Sequence, residues 1–220
     1  MNQRRIDLAA PPLDLTTGDA LTAAVEAAHL ICFPTDTVYG IGGGRRPETV
    51  AAIAATKGRE AGKPLQVVFA TLGLLLDQVP LEPRVGAAVR RLLPGPLTLV
   101  VPYPHGWSCP PPGDVGGVPT LGLRVPLWPR GARLLAQLQT PLIASSANRA
   151  GESPPRRFTA VDPTVLASCD LVCDGGQGSG RVSSVVDLSR YEAQGTWRLL
   201  RAGAWDEARI AAALRAAPAH

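Results

Sequence analysis

The 220-residue sequence predicts an α/β layered domain, on three observations. Short apolar runs that stop at Gly or Pro alternate with amphipathic stretches along most of the chain, the pattern of strands interleaved with helices. The composition, 45% hydrophobic and 18% charged, is that of a globular chain able to bury a sizeable core, not of a disordered or fibrous one. No internal repeat and no compositional break divides the sequence, so residues 1–220 are expected to form a single domain, with about 1–15 and 216–220 at its periphery.

In chain order, Asp19–His29 is a helix with Leu21, Val25 and Ala28 on one face, capped by Thr17 or Asp19. Leu30–Phe33 is a short buried strand stopped by Pro34. Pro47–Thr56 is a second helix, with proline at its first position and Glu48 in its first turn. Leu65–Ala70 is a strand, and helices follow at Leu72–Val79 and Pro83–Leu93, the latter carrying a Val85, Val89, Leu92 stripe. Pro94-Gly95-Pro96 ends that helix before a strand at Leu97–Val101. Pro102–Thr120 is rich in Pro and Gly and is expected to be irregular, as either a functional cover or a surface insertion. Strands are expected at Leu121–Val125 and Pro141–Ala144 with a helix, Arg130–Gln139, between them. A helix near Thr159–Ala167, strands at Leu171–Cys173, Ser184–Leu188 and Thr196–Leu200, and a helix at Glu207–Ala216 complete the chain.

Several function classes are excluded or weakened. The N-terminus has a basic start but lacks the apolar run of a secretory signal, and no apolar stretch approaches the ~20 residues of a membrane helix. Cys32, Cys109, Cys169 and Cys173 form no C-x-x-C pair and the three histidines are scattered, so no zinc site is expected. A cytoplasmic protein with free thiols fits. Gly58–Pro64 resembles a Walker A loop but is one residue short and lacks the Mg²⁺-binding hydroxyl. Neither a dinucleotide fingerprint nor a nucleophile elbow occurs. Chemistry by positioning and electrostatics is left, without a covalent intermediate.

The residues that point to a site are mostly cationic. Of 22 basic side chains only Lys57 and Lys63 are lysine, and they flank Arg59. Two compact charges and one planar fork in seven residues suit a polyphosphate, although a solvated loop is the alternative. Ser145-Ser146-Ala147-Asn148 follows a strand and offers hydroxyls, an amide and backbone N–H groups to an anion, or else forms an ordinary turn. Asp174–Asp187 is a second such stretch, whose glycines permit close approach of backbone to a ligand or else make a hairpin connection. Arg124 ends an otherwise apolar strand, where a charge must be paired or face a cleft. The net charge of +4 and the pairs Arg45-Arg46, Arg90-Arg91 and Arg156-Arg157 favour anionic partners.

Together these stretches resemble the YrdC/TsaC family of threonylcarbamoyl-AMP synthases. The matching segments are F-P-T-D-T-V-Y-G (33–40), K-G-R-x-x-x-K-P-L (57–65), L-P-G-P-L-T-L-V (93–100), L-G-L-R-V-P (121–126), S-S-A-N-x-x-G (145–151), S-S-V-V-D (183–187) and L-L-R-A-G (199–203). The resemblance implies a YrdC-like twisted mixed sheet with helices around a large basic concave cavity, of the short single-domain bacterial type. It implies that L-threonine, bicarbonate and ATP are joined into threonylcarbamoyl-adenylate with release of pyrophosphate. Downstream transferase proteins then pass the threonylcarbamoyl group to adenosine 37 of tRNA, and tRNA contact is part of that expectation.

By matching position the resemblance gives Lys57, Arg59, Ser146 and Asn148 the catalytic roles around the phosphates. It assigns Lys57, Arg59, Lys63, Thr120, Ser146 and Arg201 to ATP, and Thr37, Arg124, Ala144 and Ser183 to threonine, with Arg124 on its carboxylate and Thr35 sharing the role. No protein metal ligand is implied, and Mg²⁺ is expected to be held mainly through ATP. The sequence departs from the family at Val68, where several members carry histidine, and at Ser184, where threonine is common. Ser153 and Pro154 compete for one ATP contact, and Pro102–Thr120 is expected to cover the cavity. The competing expectation is a non-enzymatic protein of ribosome maturation that clamps double-stranded RNA or tRNA, for which Lys57 need not be lysine.

Overall fold

The computed structural model describes residues 4–11, 17–58 and 64–215 of the chain. Its strands are β1 (Arg4–Asp7), β2 (Ile31–Phe33), β3 (Gly40–Gly43), β4 (Gln66–Val68), β5 (Leu97–Pro102), β6 (Gly113–Val115), β7 (Val118–Arg124), β8 (Leu142–Ser146), β9 (Leu171–Asp174), β10 (Ser184–Asp187) and β11 (Arg198–Arg201). They form one mixed sheet in the order β1-β9-β2-β3-β8-β4-β7-β5-β10-β11, with β6 paired to β7 off that path. The α-helices are α1 (Gly18–Ala27), α2 (Pro47–Lys57), α3 (Leu72–Gln78), α4 (Pro83–Leu92), α5 (Pro163–Ala167), α6 (Tyr191–Gln194) and α7 (Glu207–Arg215). None of the described helices is long and apolar enough to cross a membrane.

Local chemistry sets the helix ends. Thr17 accepts from the Ala20 N–H to cap α1, and Thr71 accepts from the Leu74 N–H to cap α3. Pro47 and Pro83 open α2 and α4 where no N–H is needed. Gly58 closes α2 with φ 59°, a left-handed cap that a side chain would strain, and its N–H reaches the Ala54 and Ala55 carbonyls. That stop leaves Lys57 as the last helical residue.

The sheet's alternation makes the cavity. On β5, Leu97, Leu99 and Val101 enter the core, and on β7 Leu121 and Leu123 do the same. Helices α3, α4 and α7 cover this face with Leu75, Val85, Val89, Ile210 and Leu214. Ile53 of α2 and Val165 of α5 bury Cys32, Ile41 and Ile143 farther along. The intervening residues (Gln66, Val68, Thr98, Val100, Thr120, Gly122, Arg124) line an open cavity. Helix α1 and a 3₁₀ run at Arg130–Gln137 bury Ile6, Ile31, Phe33 and Leu171 at the β1-β9-β2 end. The strands from β3 to β11 in sheet order contribute residues to the cavity, joined by Phe33 of β2.

The structure corrects the sequence reading at several elements. Arg130–Gln139, expected to be α-helical, is 3₁₀ over Arg130–Gln137, because Ala132 (φ −123°, ψ 19°) breaks the helical path after Gly131. Pro102–Thr120 is not irregular throughout: Gly113–Val115 and Val118–Arg124 pair as a hairpin whose turn is closed by Gly117 N–H donating to Asp114. Gly40–Gly43, to which the sequence reading assigned no element, is a strand held between β2 and β8. Arg4–Asp7, in the segment expected at the periphery, forms the edge strand β1 against β9. The final helix is described to Arg215, and Ala216 lies outside the described residues.

Candidate functional site

The cavity has a volume of about 600 Å³, within the usual size of small-molecule sites. Of the side chains expected to act, Lys57, Thr120, Arg124, Ala144, Ser146, Asn148, Ser183 and Arg201 all lie on its wall. Residues separated by up to 144 positions in the chain are therefore brought to one surface. Arg59 and Lys63 lie outside the described residues. Thr37 is fully buried and sits behind the wall. Pro154 reaches the wall and Ser153 does not, which separates the two competitors for one position.

Arg124 ends β7 and is only 3% exposed. Its Nη2 donates to Thr35 Oγ1 at 3.1 Å, Asp36 Oδ1 at 2.7 Å and Thr37 Oγ1 at 2.5 Å. The Asp36 carboxylate makes this burial tolerable, since an unpaired guanidinium would cost several kcal/mol. The segment is itself a tight turn, in which Thr35 Oγ1 donates to the Val38 carbonyl and accepts from the Thr37 and Val38 N–H groups. Arg124 Nε is buried without a partner, and Nη1 makes no hydrogen bond among the described residues. One corner of the fork is thus clamped and the rest is uncommitted. Val68 on β4, in register with Arg124 on β7, puts an apolar surface at the position read from the sequence as a departure from the family pattern.

Lys57 ties two loops together. Its Nζ donates to the carbonyls of Ser146 at 2.5 Å and Asn148 at 2.6 Å, and lies 3.3 Å from Asn148 Oδ1 and 3.4 Å from Ser146 Oγ. The Lys57 carbonyl accepts from the Ala150 N–H. Asn148 Nδ2 donates to the Arg149 and Glu152 carbonyls, which closes the loop on itself. A compact ammonium with three donors can satisfy several carbonyls from one point, which a planar guanidinium cannot do in the same space.

Arg201 on β11 donates through Nε and Nη2 to the Ser183 carbonyl, at 3.2 and 2.9 Å. Burial lowers its pKa, and repulsion from Arg124 lowers it further. The two guanidiniums therefore act on one another across the floor, and an anion bound between them would relieve that repulsion. Asp114, on β6, is the acidic residue among the wall side chains. Among the described residues no group of three or more His, Cys, Asp or Glu is placed to hold a metal ion.

Some cavity residues escaped the sequence reading. Gln66 and Thr98 are polar positions inside apolar strands, and that interruption is the signal that marks them. Tyr39 lines the wall while its hydroxyl donates to the Gly176 carbonyl at 2.7 Å, and burial pushes its pKa upward. Ser184, a departure from the family pattern, points away from the cavity: its Oγ donates to the Trp205 carbonyl at 2.5 Å and accepts from the Trp205 N–H.

A family model for the Sua5/YciO/YrdC domain, described as telomere recombination, matches residues 23–203. The chain is 33% identical over 172 residues to a threonylcarbamoyl-AMP synthase of Pyrococcus abyssi, covering 76% of this chain and 49% of that protein. It is 34% identical over 165 residues to a threonylcarbamoyl-AMP synthase of Xanthomonas euvesicatoria, covering 73% of this chain and 87% of the relative. The crystal structure of P. abyssi Sua5 complexed with L-threonine superposes with a TM-score of 0.73 at 26% identity, covering 97% of this chain and 60% of that one. The chain thus spans about half the length of one of these curated relatives and most of the other.

Proposed function

The chain belongs to the Sua5/YciO/YrdC family, and from that premise we propose that its cavity joins L-threonine, bicarbonate and ATP into threonylcarbamoyl-adenylate, releasing pyrophosphate. The observation that carries the reading is the pair of guanidiniums, Arg124 and Arg201, on one cavity wall, where Asp36 pairs with one corner of Arg124 and leaves the rest of its fork uncommitted. Such a site is built for anions, and this reaction brings a carboxylate, a carbonate species and a triphosphate together.

The chemistry needs little beyond placement. The amine of threonine, once deprotonated, attacks the bicarbonate carbon, and water leaves as the carbamate forms. One carbamate oxygen then bonds the α-phosphorus while the bond to the pyrophosphate oxygen breaks. Arg124 takes the threonine carboxylate through its uncommitted edge, with charge-assisted bonds worth about 1.5–3 kcal/mol each. Arg201 stands at the nucleotide side with Thr120, Ser146 and Asn148, and Arg59 and Lys63 add cations to the phosphates in this reading. Lys57 holds the Ser146–Asn148 loop in shape, and Thr37 acts through Arg124. Holding the reactants together supplies the main acceleration. Mg²⁺ comes with the triphosphate, which offers the oxygens it prefers. The product's threonylcarbamoyl group goes to adenosine 37 of tRNA through partner proteins.

An RNA clamp fits less well, because Arg124 and Lys57 are 3% and 6% exposed and cannot reach a duplex backbone. The experiment is pyrophosphate release from ATP with threonine and bicarbonate omitted in turn. Release that requires both is expected, and release indifferent to either would refute the reading.

A further inference from the structure

Gln66 stands on β4, half-buried, with its side chain on the cavity wall. Its register partner on β7 is Gly122, where a Cβ would sit 3.3 Å from both Gln66 Cβ and Thr98 Cγ2. The missing side chain leaves a gap through which Gln66 passes above β7 to Thr98 on β5. There Thr98 Oγ1 donates to Gln66 Oε1 at 2.8 Å. The single proton of Thr98 is thereby used, so Ser183 donates in the 3.0 Å contact between the two hydroxyls. Ser183 Oγ in turn accepts from Arg201 Nη2 at 3.0 Å, and a guanidinium only donates.

The chain of hydrogen bonds therefore runs one way across the floor, from the Arg201 cation to the Gln66 carbonyl. The carboxamide lies with Oε1 toward Thr98 and Nε2 away from it. Nε2 makes no hydrogen bond among the described residues and is not buried. Its two N–H donors thus stand on the wall of a cavity that also carries the cations Lys57, Arg124 and Arg201.

We propose that Gln66 is a substrate-binding residue whose Nε2 holds the oxygens of the bicarbonate-derived carboxyl group. This rests on the reaction proposed above. Gln66 stands next to the strand that carries Arg124, and the carbamate is bonded to the same amino acid whose carboxylate Arg124 takes. A neutral amide orients this group without a full positive charge, so the attacking oxygen keeps its nucleophilicity. The Arg201 end of the chain polarises the amide from behind.

The test is the Michaelis constant for each substrate, measured in sealed buffer with defined bicarbonate. Gln66→Leu is expected to raise KM for bicarbonate about tenfold, with KM for threonine and ATP changed less than about twofold. Gln66→Glu, which keeps the acceptor for Thr98 but turns an anion toward the cavity, is expected to raise it further. Gly122→Ala, by pushing Gln66 and Thr98 apart, should raise it less. These last two variants decide the matter if Gln66→Leu does not fold. A wild-type enzyme without threonine- and bicarbonate-dependent release would sink the proposed reaction itself. An active wild type with unchanged bicarbonate KM in folded variants, or with the ATP KM rising instead, would overturn the role of Gln66.

Discussion

Asp36 shows how much of this site depends on residues that do not line it. Its Oδ1 neutralises Arg124, and without it two unbalanced guanidiniums would share the floor. Asp36→Asn keeps the shape and an acceptor but removes the charge, so threonine affinity should fall about tenfold as the Arg124 fork loses its fixed orientation. Calorimetry with threonine alone reads this directly, and unchanged affinity would show that the Thr35 and Thr37 hydroxyls suffice. At Lys57 the expectation concerns stability as well as activity. Lys57→Ala leaves the Ser146 and Asn148 carbonyls unsatisfied, at a cost of about 1–3 kcal/mol, and Lys57→Arg should not rescue it. Thermal melts of the two variants beside the wild type check both statements. At this scale the sequence was informative where a residue type was out of place: rare lysines, and an arginine ending an apolar strand. It was silent on Asp36 and Gln66, whose roles arise from contacts with positions 88 and 32 residues away.

Among the elements, strands with side-chain alternation were legible and strands without it were not. L-T-L-V-V and L-G-L-R-V state which residues enter the core and which face the cavity. Gly40–Gly43 carries three glycines and has no such period. It is a strand because β2 and β8 flank it, and β8 lies about a hundred residues later in the chain. The β6–β7 hairpin hides inside a Pro- and Gly-rich segment for the same reason. Asp114 and Val115 of this hairpin line the cavity, and Arg190 donates to the Gly116 carbonyl at its turn. Replacing residues 113–118 by a short Gly-Ser link should raise the Michaelis constants, and unchanged kinetics would remove the hairpin from the site. On β10, burial acts to raise the Asp187 carboxyl, but hydrogen bonds from Ser189 and Arg198 outweigh it and hold the pKa below its ordinary value. A depressed folded-state pKa stabilises above the unfolded carboxylate range, near about 4, and that contribution is lost as pH falls through the folded value. Asp187→Asn should therefore lower the melting temperature at pH 7, and the gap to wild type should close in acid.

For the whole molecule, one sheet carries both the core and the site. The covered face holds the chain together while the open face displays the polar row, so changes in the core and in the cavity should separate experimentally. The thiols report on that core. Burial pushes Cys169 and Cys173 up to about 12, raises Cys32 well above its ordinary value and raises Cys109 as well. Because the thiolate is the reactive form, a thiol reagent at pH 8 should find the folded protein inert and all four cysteines unmasked together in denaturant. Stepwise appearance would mean that the two ends of the sheet open separately. The layered class was legible from the alternation of apolar periods. The cavity was not, because its walls come from strands that are neighbours in space and distant in sequence.

The central claim is that this cavity builds an adenylate from a threonine carbamate. It is tested most directly by supplying ¹³C-bicarbonate with threonine and ATP and analysing the adenylates formed by mass spectrometry. The account predicts one species containing threonine, AMP and a single labelled carbon, formed in step with pyrophosphate and absent in Arg124→Ala. ATP left intact, or pyrophosphate released with no label in any adenylate, would contradict it.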